Sequence, residues 1–223
     1  SKAGVDNVGL FGYVTGNISN VNLNVQNITA NNYVGGLVGY QFSGTITNST
    51  ATVSGSVTAN NSAGGLVGIS TGTISSSSVT ISGSVTAAGN AVGGLVGHNN
   101  YGNISGSSAI ITGTVTAGNF AGGLAGYSTG TISNSSATIY DSAIINATNT
   151  NVGAVVVNAG TVTNTYATIL DSQYGNITFL GENVSNAVGG NLLDSMYLNN
   201  NSAYVNGSIA GYNKSANITL IGL

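Results

Sequence analysis

The chain has 223 residues, a formal net charge of −3 and only two Lys or Arg residues. Neutralising a phosphate backbone requires clustered Lys or Arg, so this composition excludes nucleic acid as a partner. No apolar run approaches the ~18 residues of a spanning helix, which excludes membrane insertion of that kind, and a hydrophobic fraction of 41% argues against disorder.

From the N-terminus onward, one unit beginning with Gly-Gly-Leu recurs in register. Its first full copy is Gly35–Ala59, in which strand-like segments are separated by Gly, Ser and Asn. Leu37, Leu66 and Leu95 follow one another at intervals of 29 residues. Aligning the copies gives five aliphatic columns: Leu10, Leu37, Leu66, Leu95, Leu124 and Val155; Ile18, Ile46, Ile74, Ile104, Ile132 and Val162; Leu23, Ala51, Val79, Ala109, Ala137 and Ala167; Val25, Val53, Ile81, Ile111, Ile139 and Ile169; and Ile28, Val57, Val85 and Val115.

Within each copy, segments such as Thr45-Ile46-Thr47 alternate polar and apolar residues with the period of a β-strand. A repeat of 20–50 residues is typical of a solenoid or a propeller, and 29 residues are too few for a four-stranded propeller blade. The sequence therefore predicts an all-β parallel β-solenoid (β-helix) of roughly three short strands per rung and about six to seven rungs.

The Gly-Leu-x-Gly core of the unit resembles the GLUG repeat. The residues that carry the resemblance are Leu10–Gly12, Gly36–Gly39, Gly65–Gly68, Gly94–Gly97 and Gly123–Gly126. Members of that family occur in large secreted or surface-anchored microbial proteins, including adhesin-like ones. The resemblance thus implies a secreted, extracellular or cell-surface location, whereas it implies little about activity.

We expect a single domain over residues 1–223, with regular rungs at 8–170 and a divergent rung, cap or assembly segment at 171–223. The repeat begins by Val8, which leaves little room for an N-terminal cap, and uncapped solenoid ends pair with other chains. We therefore expect a non-enzymatic structural protein that stacks head to tail with copies of itself in an extracellular filament or surface assembly. A stalk segment of a large adhesin is the alternative.

Two segments are candidate interfaces. The Gly-Gly-Leu block is apolar on both sides of its predicted strand, whereas a strand that faces water should alternate. The C-terminal Asn217–Leu223 is a strand-like apolar tail. The candidate interface residues are Val34, Val38, Ala63, Val67, Val92, Val96, Ala121, Ala125, Ile218, Leu220, Ile221 and Leu223.

A β-rich chain with so little charge needs another source of solubility, and N-linked glycans are one such source. The Asn-x-Ser/Thr pattern occurs thirteen times. Either several of these sites carry glycans, or Asn, Ser and Thr are simply common outward residues here. The sites are Asn17, Asn27, Asn48, Asn60, Asn103, Asn134, Asn146, Asn176, Asn183, Asn200, Asn206, Asn213 and Asn217.

Three features could carry chemistry, and each has a plainer interpretation. Asp141 and Asp171 share a column and would lie about 5 Å apart on stacked rungs; they are solvated turn residues, a weak metal-binding pair, or the acids of a carbohydrate-active β-helix enzyme. The single histidine, His98, is expected to be an outward residue at a strand end. The Thr-x-Thr/Ser segments beginning at Thr45 and Thr73 form a ladder that is either a plain β face or an ice-binding surface. No cofactor is expected.

Overall fold

The computed structural model describes residues 4–140, 143–149, 151–157, 160–163 and 165–170, together with the backbone of four later strands; for 166 and 168–170 it also describes the backbone alone. Throughout these residues the fold is all-β, without a helix, and the pairing between successive turns is parallel. The chain forms a β-solenoid of about five turns, whose equivalent residues lie about 29 positions apart. The predicted all-β parallel β-solenoid is confirmed, whereas its turns number about five and the sequence predicted about six to seven rungs.

Each turn of the solenoid, called a rung below, passes through four sheets in the same order. Sheet A consists of β1 (Asn7–Val8), β5 (Tyr33–Gly35), β9 (Ser62–Gly64), β14 (Ala91–Gly93), β19 (Phe120–Gly122) and β24 (Asn151–Gly153). Sheet B consists of β2 (Phe11–Val14), β6 (Val38–Gln41), β10 (Val67–Ser70), β15 (Val96–Asn99), β20 (Ala125–Ser128) and β25 (Val156–Val157).

Sheets C and D complete each rung. Sheet C consists of β3 (Ile18–Ser19), β7 (Thr45–Thr47), β11 (Thr73–Ser75), β16 (Asn103–Ser105), β21 (Thr131–Ser133) and β26 (Thr161–Thr163). Sheet D consists of β4 (Asn22–Thr29), β8 (Thr50–Ala59), β12 (Ser78–Ile81), β13 (Ser84–Ala87), β17 (Ser108–Ile111), β18 (Thr114–Ala117), β22 (Ser136–Tyr140), β23 (Ile144–Ala147), β27 (Tyr166–Leu170), β28 (Asn176–Leu180), β29 (Tyr197–Asn199), β30 (Ala203–Tyr204) and β31 (Asn217–Ile221).

The predicted strand count per rung is too low. The rung from Ser62 to Ala87 contains five strands, β9 to β13, because the chain bends at two glycine-containing points that the pattern did not separate from strand. One bend lies at Gly65-Leu66 and divides the Gly-Gly-Leu block into a sheet A strand and a sheet B strand. The other lies at Ser82-Gly83 and divides the sheet D segment, which is continuous in β8.

The aliphatic columns form the core of the solenoid, as the sequence predicts. Leu37, Leu66, Leu95 and Leu124 are fully buried, and so are the isoleucines of sheet C from Ile46 to Ile132. Each residue stacks on its equivalent in the next rung, because the registers pair identical positions, such as Ile74 with Ile46 and Ile104. A ladder of like side chains therefore fills the interior, and most of its stabilisation comes from removing these aliphatic surfaces from water.

The corner between sheets C and D is held by a ladder of buried hydroxyl groups. The Ser77 hydroxyl accepts a hydrogen bond from the Ser49 N–H at 3.2 Å and donates to the Ser75 carbonyl at 2.9 Å. The Ser107 hydroxyl repeats this arrangement one rung further on. Just before the ladder, Asn48 and its equivalents adopt left-handed backbone with φ near 47°, a conformation that Asn tolerates better than most residues do. The turn is thus encoded locally and joined to its neighbours by hydrogen bonds.

Candidate functional site: the exposed N-terminal rung

The Gly-Gly-Leu block, predicted to face a neighbouring molecule, faces the inside of its own chain. All eight candidate interface residues of this block are fully buried in the core of the described chain: Val34, Val38, Ala63, Val67, Val92, Val96, Ala121 and Ala125. The prediction of a flat apolar outer surface there is wrong. Both sides of the Gly-Gly-Leu block are covered, as its apolar pattern predicts, and the cover is the solenoid itself.

Glycine is the reason that this burial is achieved. A Cβ atom built on Gly68 of sheet B would lie 2.7 Å from the Val34 nitrogen of sheet A and 2.6 Å from the Gly39 carbonyl oxygen. A Cβ atom on Gly97 would likewise lie 2.7 Å from the Ala63 carbonyl oxygen. Sheets A and B therefore approach backbone to backbone, at a distance that a larger residue does not permit.

An apolar surface does exist, and it lies at the N-terminal end of the solenoid. Leu10 occupies the leucine column but is 61% exposed, whereas Leu37, its neighbour in that column, is fully buried. A concave surface at this end is lined by Val8, Leu10 and, from sheet D, residues including Leu23, Val25 and Ile28. Within the described residues, no strand lies over this surface.

Both buried polar ladders also end at this rung. Sheet B carries polar residues at the buried position of its last strand residue, from Gln41 to Ser128, and the Ser70 hydroxyl donates to the side-chain Oε1 of Gln41 at 2.8 Å. In the first rung this position is Val14, which pairs in register with Gln41. The corner hydroxyl is replaced by Val21, whose N–H donates to the Ser49 hydroxyl at 3.3 Å. The first rung is therefore apolar at two positions that are polar in the second rung, where Gln41 and Ser49 lie.

The backbone of the same rung is paired on one side. Strands β1, β2, β3 and β4 each pair in parallel with the second rung, through β5, β6, β7 and β8. In the described chain no strand pairs with their opposite edges. The terminal rung thus presents unpaired N–H and C=O groups around an apolar centre, which is the arrangement that a further rung would cover.

Comparison with known proteins bears on one of these rungs. Residues 30–58 match the family model described as the GLUG motif, and they correspond to the second rung, β5 to β8. This chain carries the GLUG motif. No curated protein and no solved structure matches the chain. The other predicted Gly-Leu-x-Gly cores take the same structural place, since Gly65–Gly68 and Gly94–Gly97 lie at the same bend between sheets A and B.

The GLUG rungs display several predicted glycosylation sites on their surface. Asn17, Asn27, Asn48, Asn60, Asn103 and Asn134 are exposed, and Asn146 is half-buried. The side chains of Asn176 and Asn217 and the whole of Asn183, Asn200, Asn206 and Asn213 lie outside the described residues. Most described sites are therefore accessible to a glycan, and their occupancy stays a prediction.

The C-terminal interface candidates are described in part. Ile218, Leu220 and Ile221 lie in β31, which pairs in parallel with β28 along its length and with β30 at two positions. Their side chains, and Leu223 as a whole, lie outside the described residues. The role of this tail as an interface stays a prediction.

The aspartate pair also falls outside the described part, since neither Asp141 nor Asp171 is placed. Within the described residues no three His, Cys, Asp or Glu side chains come together as a metal site would require. No helix of the described chain is long and apolar enough to cross a bilayer. The hypotheses of a paired-acid site and of a carbohydrate-active enzyme therefore stay untested.

His98 is less exposed than predicted. Its ring packs edge-on against Tyr127, with centroids 5.1 Å apart, and its Nε2 atom is buried without a hydrogen-bond partner. Burial of the imidazole lowers the pKa of His98, because desolvation disfavours the charged form. Burial therefore favours the neutral form of the ring, which packs on the outer side of sheet B against Tyr127.

Proposed function

We propose that this chain is a non-enzymatic structural protein whose solenoids join end to end, with the N-terminal rung of one copy covered by the last rung of another. A β-solenoid with stacked core ladders suits a structural role, because stiffness follows from continuous backbone pairing along its axis. The observation that carries the finer proposal is the exposure of Leu10 in a column whose other leucines are fully buried.

Two forces favour such a joint. Covering Leu10, Val14 and Val21 would remove apolar surface from water, and strand addition along β4 would pair its free edge. On the N-terminal side of the joint, Asp6 is the only charged side chain that the structure describes. The expected product is a filament or a surface assembly outside the cell, the location implied by resemblance to secreted GLUG-containing proteins.

Sedimentation velocity and negative-stain electron microscopy test the proposal. The purified chain is expected to form concentration-dependent oligomers or filaments, and Leu10→Lys is expected to abolish them, since a charge would be buried in the joint. Tyr101→Lys is the matched control, because Tyr101 is 82% exposed in a turn between sheets B and C. A wild-type chain that stays monomeric at the highest concentration would instead favour the stalk of a longer adhesin.

Ice binding is a second candidate, and one observation favours it. Thr45 and Thr73 of sheet C lie in direct register, and so do Thr131 and Thr161 further along the sheet. However, the exposed Asn103 interrupts this column between Thr73 and Thr131. Thermal hysteresis of protein without glycans tests the idea, and Thr73→Lys should abolish any hysteresis that is measured.

A further inference from the structure

Aromatic side chains collect at one place on the first two rungs, where sheets A and B adjoin. Tyr33 of sheet A contacts Tyr40 of sheet B, with ring centroids 6.0 Å apart. Tyr40 packs edge-on against Tyr13 at 5.3 Å, and Tyr13 stacks on Phe42 at 5.9 Å with 23° between the ring planes. We refer to Tyr13, Tyr33, Tyr40 and Phe42 as the aromatic cluster.

Tyr13 belongs to the first rung, but the exposure of Phe42 is not a consequence of the open end of the solenoid. Phe42 belongs to the second rung, which is paired on both sides: its N–H donates to the Val14 carbonyl, and its carbonyl accepts from the Thr71 hydroxyl. Even so, Phe42 and Tyr13 are each 52% exposed. Grouped exposed rings of this kind mark binding surfaces more often than scattered single ones.

The surroundings of the cluster are polar but almost uncharged. Asp6 accepts hydrogen bonds from the side-chain amides of Asn31 and Asn32 at 3.0 and 2.6 Å, and its backbone carbonyl accepts from the Tyr33 N–H. No Lys or Arg lies within the described residues. Among the described residues, the cluster therefore offers open ring surface, with the Asn31 and Asn32 amides and the Asp6 carboxylate joined to it through Tyr33.

We propose that the aromatic cluster binds a neutral oligosaccharide. A pyranose ring has an apolar C–H face that stacks on an aromatic ring and hydroxyl groups at its edge that bind amides and carboxylates. Sites that combine aromatic walls with a few placed polar groups are the usual form of small-ligand sites. Asp6 would repel an anionic sugar, and no Lys or Arg among the described residues would offset that repulsion, so this surface favours an uncharged glycan.

A second aromatic group indicates that the ligand is a chain. Phe120 and Tyr127 occupy the positions of Tyr33 and Tyr40 three rungs further on, as the registers of sheets A and B show, and their centroids are 4.9 Å apart. His98 packs against the same Tyr127 ring. Strand spacing places the two groups about 14 Å apart along the axis. A polysaccharide lying along the solenoid could therefore contact both.

Isothermal titration calorimetry with cellohexaose, mannohexaose and xylohexaose tests this proposal, after a screen on an array of neutral glycans. At least one neutral glycan is expected to bind. The double variant Tyr13→Leu/Phe42→Leu keeps apolar side chains at both positions but removes the rings, and it should lose about tenfold in affinity, or about 1.4 kcal/mol. The hexamer of galacturonic acid should not bind.

Tyr101→Leu is the matched control, since it removes an exposed ring that lies outside both aromatic groups. Its affinity should equal that of the wild type, and circular dichroism should show the same fold for every variant. The proposal is overturned if no neutral glycan binds, or if Tyr101→Leu weakens binding as much as the double variant. It is equally overturned if the rings prove necessary for self-association while no glycan binds.

Discussion

Leu10 lies directly beside Leu37 in the leucine column of the solenoid, yet Leu10 is largely exposed and Leu37 is fully buried. The two residues have the same local sequence signal, namely a leucine after the glycine of the repeat. What separates them is the number of neighbouring rungs. Leu37 has a rung on each side, whereas Leu10 is covered on one side alone within the described chain.

This difference predicts unequal costs for the same substitution. Leu66→Ala, deep in the column, should lower the free energy of unfolding by about 2–5 kcal/mol, because it removes a fully buried side chain and leaves a cavity. Leu10→Ala should cost under ~1 kcal/mol in the monomer. Urea denaturation of both variants measures this, and equal losses would contradict the assignment of the end rung.

The close approach of sheets A and B predicts that Gly68 is intolerant of even the smallest side chain. Gly68→Ala should destabilise the chain by more than ~2 kcal/mol, because its Cβ would overlap the backbone of Val34 and Gly39. Gly16→Ala is the control, since a Cβ at Gly16 would meet no atom within 4 Å. Thermal unfolding compares the two, and a neutral Gly68→Ala would show that the sheets lie further apart.

The hydroxyl ladder predicts a cost for removing one buried oxygen. In Ser107→Ala the Ser77 N–H would lose its acceptor, and a buried unpaired N–H costs about 1–3 kcal/mol. Ser19→Ala, on the exposed side of β3, should be nearly neutral. The urea concentrations at which half of each variant is unfolded test this prediction. Similar midpoints would show that the hydroxyl ladder does not stabilise the fold.

The lowered pKa of His98 predicts that the free energy of unfolding falls on acidification. Its pKa is lowered in the folded chain from an ordinary value of 6.5, so the unfolded chain binds the proton more readily. Stability should therefore be constant above about pH 7 and fall as the pH drops through 6.5 towards the folded pKa. Melting temperatures between pH 8 and about pH 5 measure this effect.

His98→Ile is the control for that experiment, because Ile69 occupies the equivalent position one rung earlier and is buried there. The variant should lose the part of the pH dependence that belongs to the imidazole. If the melting temperatures of wild type and His98→Ile fall equally as the pH is lowered over this range, the proton is taken up by another group.

The sequence by itself determined the solenoid and its core. Each rung repeats the same alternation, so the columns headed by Leu37 and Ile46 could be identified before any contact was known, and the structure buries both. The Gly, Ser and Asn residues that separate the strand-like segments favour turns for the same reason, since their conformational preferences are local. In a periodic sequence of this kind the repeats can be aligned with one another, and parallel stacking places the aligned residues in contact.

Tertiary structure alone decided where the apolar surface lies. Val34 and Val38 read as the same side of one continuous strand, but the chain bends at Gly36-Leu37, places them in separate sheets and buries both. The contact of Tyr33 with Tyr40 and the exposure of Leu10 could not be predicted either, because both depend on how successive rungs and sheets meet. Local pattern shows that a face is apolar, whereas the identity of its cover is a long-range property of the folded chain.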